Sequence, residues 1–253
     1  MASVKEVKEV LKRFYIETPS WAYGNSGTRF KVFAQPGVPR DPYEKISDAA
    51  QVNKFTAAAP AVAMHIPWDK VDDYAKLAKH AKDNGVYLGT INSNTFQDDD
   101  YKFGSVCHFD KKIRQKAVDH LLECVDIMDI TGAKDLKLWF ADGTNYPGQD
   151  DLAGRQDRLF ESLQKVYERF CDTQRMLFEY KFIEPAFYST DVPDWCTFYV
   201  PCTELGPTAP VCVDTGHHAP GTNIEYIVAF LLRKKRLGAV SYTHLTLPTS
   251  DLV

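Results

Sequence analysis

Short apolar runs alternate with longer stretches of helical period along most of the chain. Residues 61–66 (AVAMHI), 86–91 (VYLGTI), 136–140, 175–180 and 209–214 are too short for buried helices and read as buried strands. Between them the apolar positions recur at helical spacing, which predicts helices over 42–58, 68–84, 111–130, 152–171, 194–205 and 223–237, with another at 4–16. A further strand is expected near residues 20–22. Gly85 and Gly132 stand where two of the helices should stop. Polar loops follow several strands, among them 92–100 and the turn-forming ADGTNYPGQDD at 141–151. Six strands alternating with helices predict a parallel α/β fold. Polar and acidic residues at the C-terminal ends of the strands favour a (β/α)8 TIM barrel over a doubly wound sheet. Neither a GxGxxG nor a Walker sequence supports the nucleotide-binding alternative.

Composition narrows the picture. The 253 residues, 44% of them hydrophobic, suffice for one large domain with a substantial core. Thirty basic against 34 acidic residues give a net charge of −4, and there is no basic stripe to suggest nucleic acid. The basic run at 233–236 reads as a favourable helix C-terminus. No apolar run approaches the length of a membrane span. Residues 1–16 are charged and amphipathic, unlike a secretory signal. The six cysteines form no CxxC pair, so a cytoplasmic location is expected.

Candidate chemistry sits at strand ends. In 175–181 (RMLFEYK), Leu177, Glu179 and Lys181 share one face, and Phe178 and Tyr180 the other. A surface ion pair is the plain reading, but charge inside so apolar a strand is costly and more often marks a site. In 209–221 (APVCVDTGHHAPG) an apolar strand runs into Asp214, with His217 and His218 close behind. There the plain reading is an aspartate capping the next helix. Together the two strands suggest a divalent-metal site of carboxylates and imidazole, suited to Mn, Mg, Co or Zn. His65 lies at the end of its strand, with Trp68 and Asp69 just beyond, where proline and tryptophan would wall a sugar's apolar face. Trp139 and Asp142 repeat that theme, with a core role for Trp139 as the alternative. His108 and the acid run 98–100 carry little weight.

Several stretches in order resemble L-rhamnose isomerase of the broad-specificity bacterial branch. They are PSW and GTRF within 19–30, HIPWDK at 65–70, NSNTF at 92–96, DGTNYPGQ at 142–149, EPAFY at 184–188, and VDTGHHAP followed by TNIE within 213–225. The resemblance implies a (β/α)8 barrel, two divalent ions (usually Mn2+), a homotetramer, and conversion of L-rhamnose to L-rhamnulose. It implies Glu179 and Asp214 as ligands of the substrate-anchoring metal and His217 as a ligand of the catalytic one. Lys181 would lie near the sugar carbonyl, His65 near the ring oxygen, and Trp68 and Trp139 in the pocket wall. The family completes its metal sites from a seventh and an eighth strand. Here 241–249 (SYTHLTLPT) looks like translated sequencing adapter. The expectation is an incomplete xylose-isomerase-like barrel over residues 1–238, about six of eight βα units, with 239–253 as read-through. Such a fragment is expected to be inactive. The alternatives are a related xylose-isomerase-like sugar isomerase or epimerase, a sugar-binding barrel without turnover, and a metal-dependent phosphoesterase.

Overall fold

The computed structural model describes residues 2–24, 33–144, 148–184 and 188–242. The GTRF stretch, the middle of the 142–149 loop, the centre of EPAFY and residues 243–253 with His244 lie outside the described residues. The chain divides into two compact units, 1–92 with 127–134, and 93–126 with 135–253.

The first unit begins with α1 (Val4–Leu11), capped by Ser3 and Glu6 in a reciprocal capping box, with no buried residue. β1 (Glu17–Pro19) pairs in parallel with β2 (Ala61–Ile66), and β3 (Tyr87–Ser93) follows β2 in the sheet order. The strand expected near residue 20 therefore lies just upstream. Residues Ser20–Ala22 instead form a 3-10 turn closed by Tyr23 N–H donating to the Ser20 carbonyl at 3.1 Å. All six residues of β2 are buried, as a continuous apolar run requires when both faces are covered. α2 (Pro42–Thr56) buries Ile46, Ala49 and Ala50 at helical spacing. α3 (Tyr74–Asp83) starts six residues later than its periodicity suggests. Residues 67–69 form a turn and 70–73 an irregular stretch, and the Asp73 carboxylate caps the helix by accepting from Lys76 N–H at 2.8 Å. Gly85, at φ +78°, ends the helix as expected. Gly89 in β3 leaves room for a neighbour: a Cβ there would lie 2.2 Å from the Glu17 carboxylate, whose side chain would have to shift.

In the second unit, β4 (Asp135–Trp139), β5 (Arg175–Glu179), β8 (Val211–Asp214) and β9 (Leu237–Ser241) form consecutive parallel strands. β6 (Ile183–Glu184) and β7 (Tyr188–Ser189) make a short antiparallel pair after β5. α4 (Lys111–Thr131), whose residues 127–131 count with the first unit, ends before Gly132, as its pattern predicts. α5 (Leu152–Tyr167) buries Leu159, Leu163 and Val166, a stripe at helical spacing. α6 (Trp195–Leu205) sets Phe198 on Phe178 of β5, with ring centroids 5.0 Å apart. α7 (Ile224–Arg233) buries Ile227 and Leu231 and stops four residues before its predicted end. Lys235 takes a positive φ of 57°, and the chain turns into β9, a strand that the sequence pattern does not announce and that crosses Gly238. Among the described residues, no helix is long and apolar enough to cross a membrane.

Candidate metal centre

Parallel strands bring their C-terminal ends to one edge, and three neighbours in the second unit end in polar or aromatic residues. Register pairs Trp139 of β4 with Glu179 of β5, and Glu179 with Cys212 of β8. Asp214, two residues past Cys212, shares its face. Glu179 and Asp214 are 5% and 1% exposed, so both carboxylates leave water almost entirely. The chain after Asp214 turns sharply. Asp214 Oδ1 accepts Gly216 N–H at 2.7 Å, and His217 N–H donates to the Asp214 carbonyl at 3.1 Å. Asp214 thus caps this turn, while Asn223 caps α7.

That turn carries His217 back over the strand ends. Its Nδ1 lies 3.2 Å from Glu179 Oε1 and 3.9 Å from Asp214 Oδ2, and 3.1 Å from the Tyr180 carbonyl. One ligand atom from each of Glu179, Asp214 and His217 falls within 4.8 Å of the others. His218 turns elsewhere, its Nε2 bonded to the Tyr180 hydroxyl at 2.6 Å.

Electrostatics distinguishes the two acids. Burial alone would raise the Glu179 carboxyl, but the charges of Lys137 and His217 outweigh it and hold the group below the usual carboxylate value. Burial, then the negative charge of Glu179, push Asp214 above its ordinary value. Asp214 Oδ2 is buried and makes no hydrogen bond. An orphaned, desolvated carboxylate oxygen facing a second carboxylate and an imidazole is the donor set a hard or borderline divalent cation satisfies. These residues fit such an ion.

The cation paired with Glu179 is one that the sequence pattern does not single out. Lys137 of β4 makes an ion pair with Glu179 Oε2 from the adjacent strand. Its position two residues before Trp139 is the only local signal. Lys181 lies beyond the end of β5 and is half-buried, its ammonium 5.2 Å from the centroid of the Trp139 ring. Phe96 packs edge-on against the same indole at 4.8 Å. Trp139 is thus a half-buried wall between Phe96 and Lys181. Asp142 takes no part in the triad. It is buried, and its carboxylate accepts from Ser105 N–H, the Ser105 hydroxyl and Cys107 N–H at 2.6, 2.6 and 3.0 Å.

The first unit holds His65 and Trp68. Their rings stack at 3.7 Å with 16° between planes, and Trp21 meets His65 edge-on at 5.4 Å. Asp69, fully buried, organises this group. Its carboxylate accepts from His65 N–H at 2.8 Å and from the Ser20 hydroxyl, and it pairs with Lys45 Nζ at 2.7 Å. Ser20 and Trp21 fall within the PSW motif, but nothing local marks Lys45 as their partner.

No protein-family model matches the sequence. A curated relative from Rhizobium meliloti (strain 1021), described as a probable sugar isomerase, is 42% identical over 254 residues, covering 98% of this chain and 59% of the relative. A second, from Mesorhizobium japonicum and described in the same words, is 40% identical over 255 residues, covering 99% and 59%. The chain therefore spans about three fifths of the length of the curated relatives it matches. Among solved structures, D-allulose 3-epimerase from Methylomonas sp. superposes with a TM-score of 0.64 at 16% identity, over 90% of this chain and 71% of that one. The 3-keto-D-glucoside 4-epimerase of E. coli gives a TM-score of 0.62 at 13% identity, over 90% and 78%. The chain has the α/β fold of these epimerases.

Proposed function

We propose that this chain carries the metal-binding part of a divalent-metal-dependent sugar isomerase or epimerase of the xylose-isomerase-like kind. The observation that carries the reading is the convergence of Glu179, Asp214 and His217, with the Asp214 Oδ2 atom buried and unbonded. The relatives described as probable sugar isomerases support it, as does the shared fold of the epimerases. Aldose–ketose isomerisation, with L-rhamnose as the first substrate to test, is the finer form of the proposal. It follows the motif resemblance together with the relatives' description. Epimerisation of a ketose is the second reading, favoured by the fold alone. A pair of Mn2+ ions, a homotetramer and a cytoplasmic setting belong to the same proposal.

Glu179, Asp214 and His217 would hold the ion, which when bound supplies Lewis-acid polarisation of a sugar oxygen and lowers the pKa of a hydroxyl. The remaining work falls to the chain's own side chains. Lys137 keeps Glu179 ionised by occupying one of its oxygens and leaves Oε1 toward the centre. Lys181, held over the Trp139 ring, offers an ammonium donor to an oxygen that gains negative charge during transfer between adjacent sugar carbons. Trp139 and Phe96 present apolar surface on which C–H faces of a sugar can rest. In the first unit, the His65 ring, braced by Trp68 and Trp21, is a candidate to move a proton at the ring oxygen.

The test is a turnover assay on the complete gene product, stripped with chelator and then titrated with Mn2+. It would use L-rhamnose and other aldoses, with separate detection of C3 epimers from ketoses. Ketose formation that appears only with metal supports the isomerase reading. A C3 epimer formed from a ketose, with no ketose formed from any aldose, moves it to the second reading, and sugar binding without turnover removes both.

A further inference from the structure

We propose that Arg155 is a positioning residue for Lys181, acting through a buried knot centred on Asp191; this rests on the role proposed above for Lys181. Lys181 lies two residues beyond the last residue of β5, so the sheet ladder does not hold it. Its backbone is held from one neighbouring segment instead. Lys181 N–H donates to the Val192 carbonyl at 3.2 Å, and the Thr190 hydroxyl donates to the Lys181 carbonyl. Between those two contacts sits Asp191, and every polar group on it is taken. Both carboxylate oxygens accept from Arg155, through Nε at 2.9 Å and Nη2 at 2.8 Å. The Asp191 carbonyl accepts from the Gln156 side chain at 2.7 Å, and its N–H donates to the Asp142 carbonyl at 2.9 Å.

Arg155 is 2% exposed and is anchored in turn, with Nη1 donating to Asp150 at 2.8 Å and to the Phe103 carbonyl at 3.2 Å. A guanidinium with this many fixed acceptors cannot shift without breaking several charge-assisted bonds, and its bidentate fork sets both the position and the tilt of Asp191. The adjoining cluster of Cys107, Asp142 and Asp191 offers three residues of metal-ligand type, but its carboxylate oxygens already accept from Ser105, Cys107 and Arg155. It is a brace rather than a cation site. A brace that fixes residues 190–192 fixes the peptide of Lys181 and hence where its ammonium stands over Trp139.

The experiment compares wild type with Thr190→Val, Arg155→Met and Arg155→Lys in the complete gene product. Acetylation of Lys181 by a limiting reagent, read by mass spectrometry against exposed Lys165, should rise about threefold in Thr190→Val and further in Arg155→Met, as the segment opens locally. Mn2+ affinity, read by electron paramagnetic resonance, should stay within about twofold, because the triad sits on β5, the end of β8 and the turn that follows it. Turnover should show kcat reduced about tenfold with KM changed by less than about threefold, and Arg155→Lys should recover part of the kcat. Unchanged Lys181 labelling in Thr190→Val overturns the proposal, even if Arg155→Met fails to fold. So does a loss of Mn2+ affinity in parallel with kcat in Thr190→Val. If wild type turns over no sugar, the functional reading falls, while the labelling still decides whether the knot positions Lys181.

Discussion

The Lys137 ammonium of β4 is paired with the Glu179 carboxylate of β5, one strand away and two residues out of register. The pair is largely buried, with side chains 19% and 7% exposed. It sets the charge of the candidate metal centre before any ion arrives. Burial would lower the Lys137 pKa, but the charge and hydrogen bond of the Glu179 carboxylate help to outweigh that and keep the ammonium charged.

Removing one partner of such a pair leaves the other buried and uncompensated. Lys137→Met should cost the metal-free protein about 3 kcal/mol, measured by urea unfolding in the presence of chelator. Saturating Mn2+ should recover part of the loss by supplying a new positive charge. A variant as stable as wild type without metal would show that the ion pair contributes nothing.

Asp214→Asn removes the charge from the buried oxygen that has no hydrogen bond. Disturbing the outer partners of metal ligands already costs ten- to a hundredfold in affinity, so losing a ligand's charge should weaken Mn2+ binding by more than about a hundredfold. Calorimetric titration with Mn2+ reads this directly. Affinity within a few-fold of wild type would place the ion elsewhere.

In the first unit, Lys45 and Asp69 form an ion pair with side chains 6% and 0% exposed. Lys45→Met should destabilise by about 3 kcal/mol, because the Asp69 carboxylate would then keep only neutral donors. The same variant should loosen the His65–Trp68 stack, seen as a change in tryptophan fluorescence. Unaltered fluorescence together with unaltered stability would remove Asp69 as the organiser of that group.

His108 is buried, and its Nδ1 accepts the Asp110 N–H at 2.9 Å, which favours the neutral ring. Burial holds its pKa below the ordinary 6.5. Because the folded value is the lower one, the unfolded chain binds the proton first as pH falls. The stability contribution is therefore complete above pH 6.5 and is lost between that point and the folded pKa. His108→Asn keeps an acceptor but cannot titrate, so its denaturation midpoint should vary less with pH across that window. Identical pH profiles would remove His108 as the cause.

Much of the second unit was legible in the sequence because strand patterns are local. The run RMLFE must be a buried strand, its period of two places Glu179 among apolar neighbours, and an apolar strand ending in Asp214 with His217 three residues on places ligand types at a strand end. The β9 strand was not legible, because LGAVS has no distinguishing alternation and becomes a strand through pairing with β8. The late start of α3 was hidden for a similar reason. The residues ahead of Asp73 suit a helix locally, but Asp69 is committed to His65, Ser20 and Lys45.

By itself, then, the sequence determined the alternation of strands and helices, and which residue types stand at the strand ends. Tertiary structure alone decided the pairings that tune them: Lys137 on Glu179, Lys45 on Asp69, Arg155 on Asp191, and the Asp214 oxygen left without a hydrogen bond. The physical reason is one of range. A side chain's face follows from the geometry of its own few residues. Its partner follows from the register between strands and the packing of helices on the sheet, set by the summed burial of apolar surface from the whole unit.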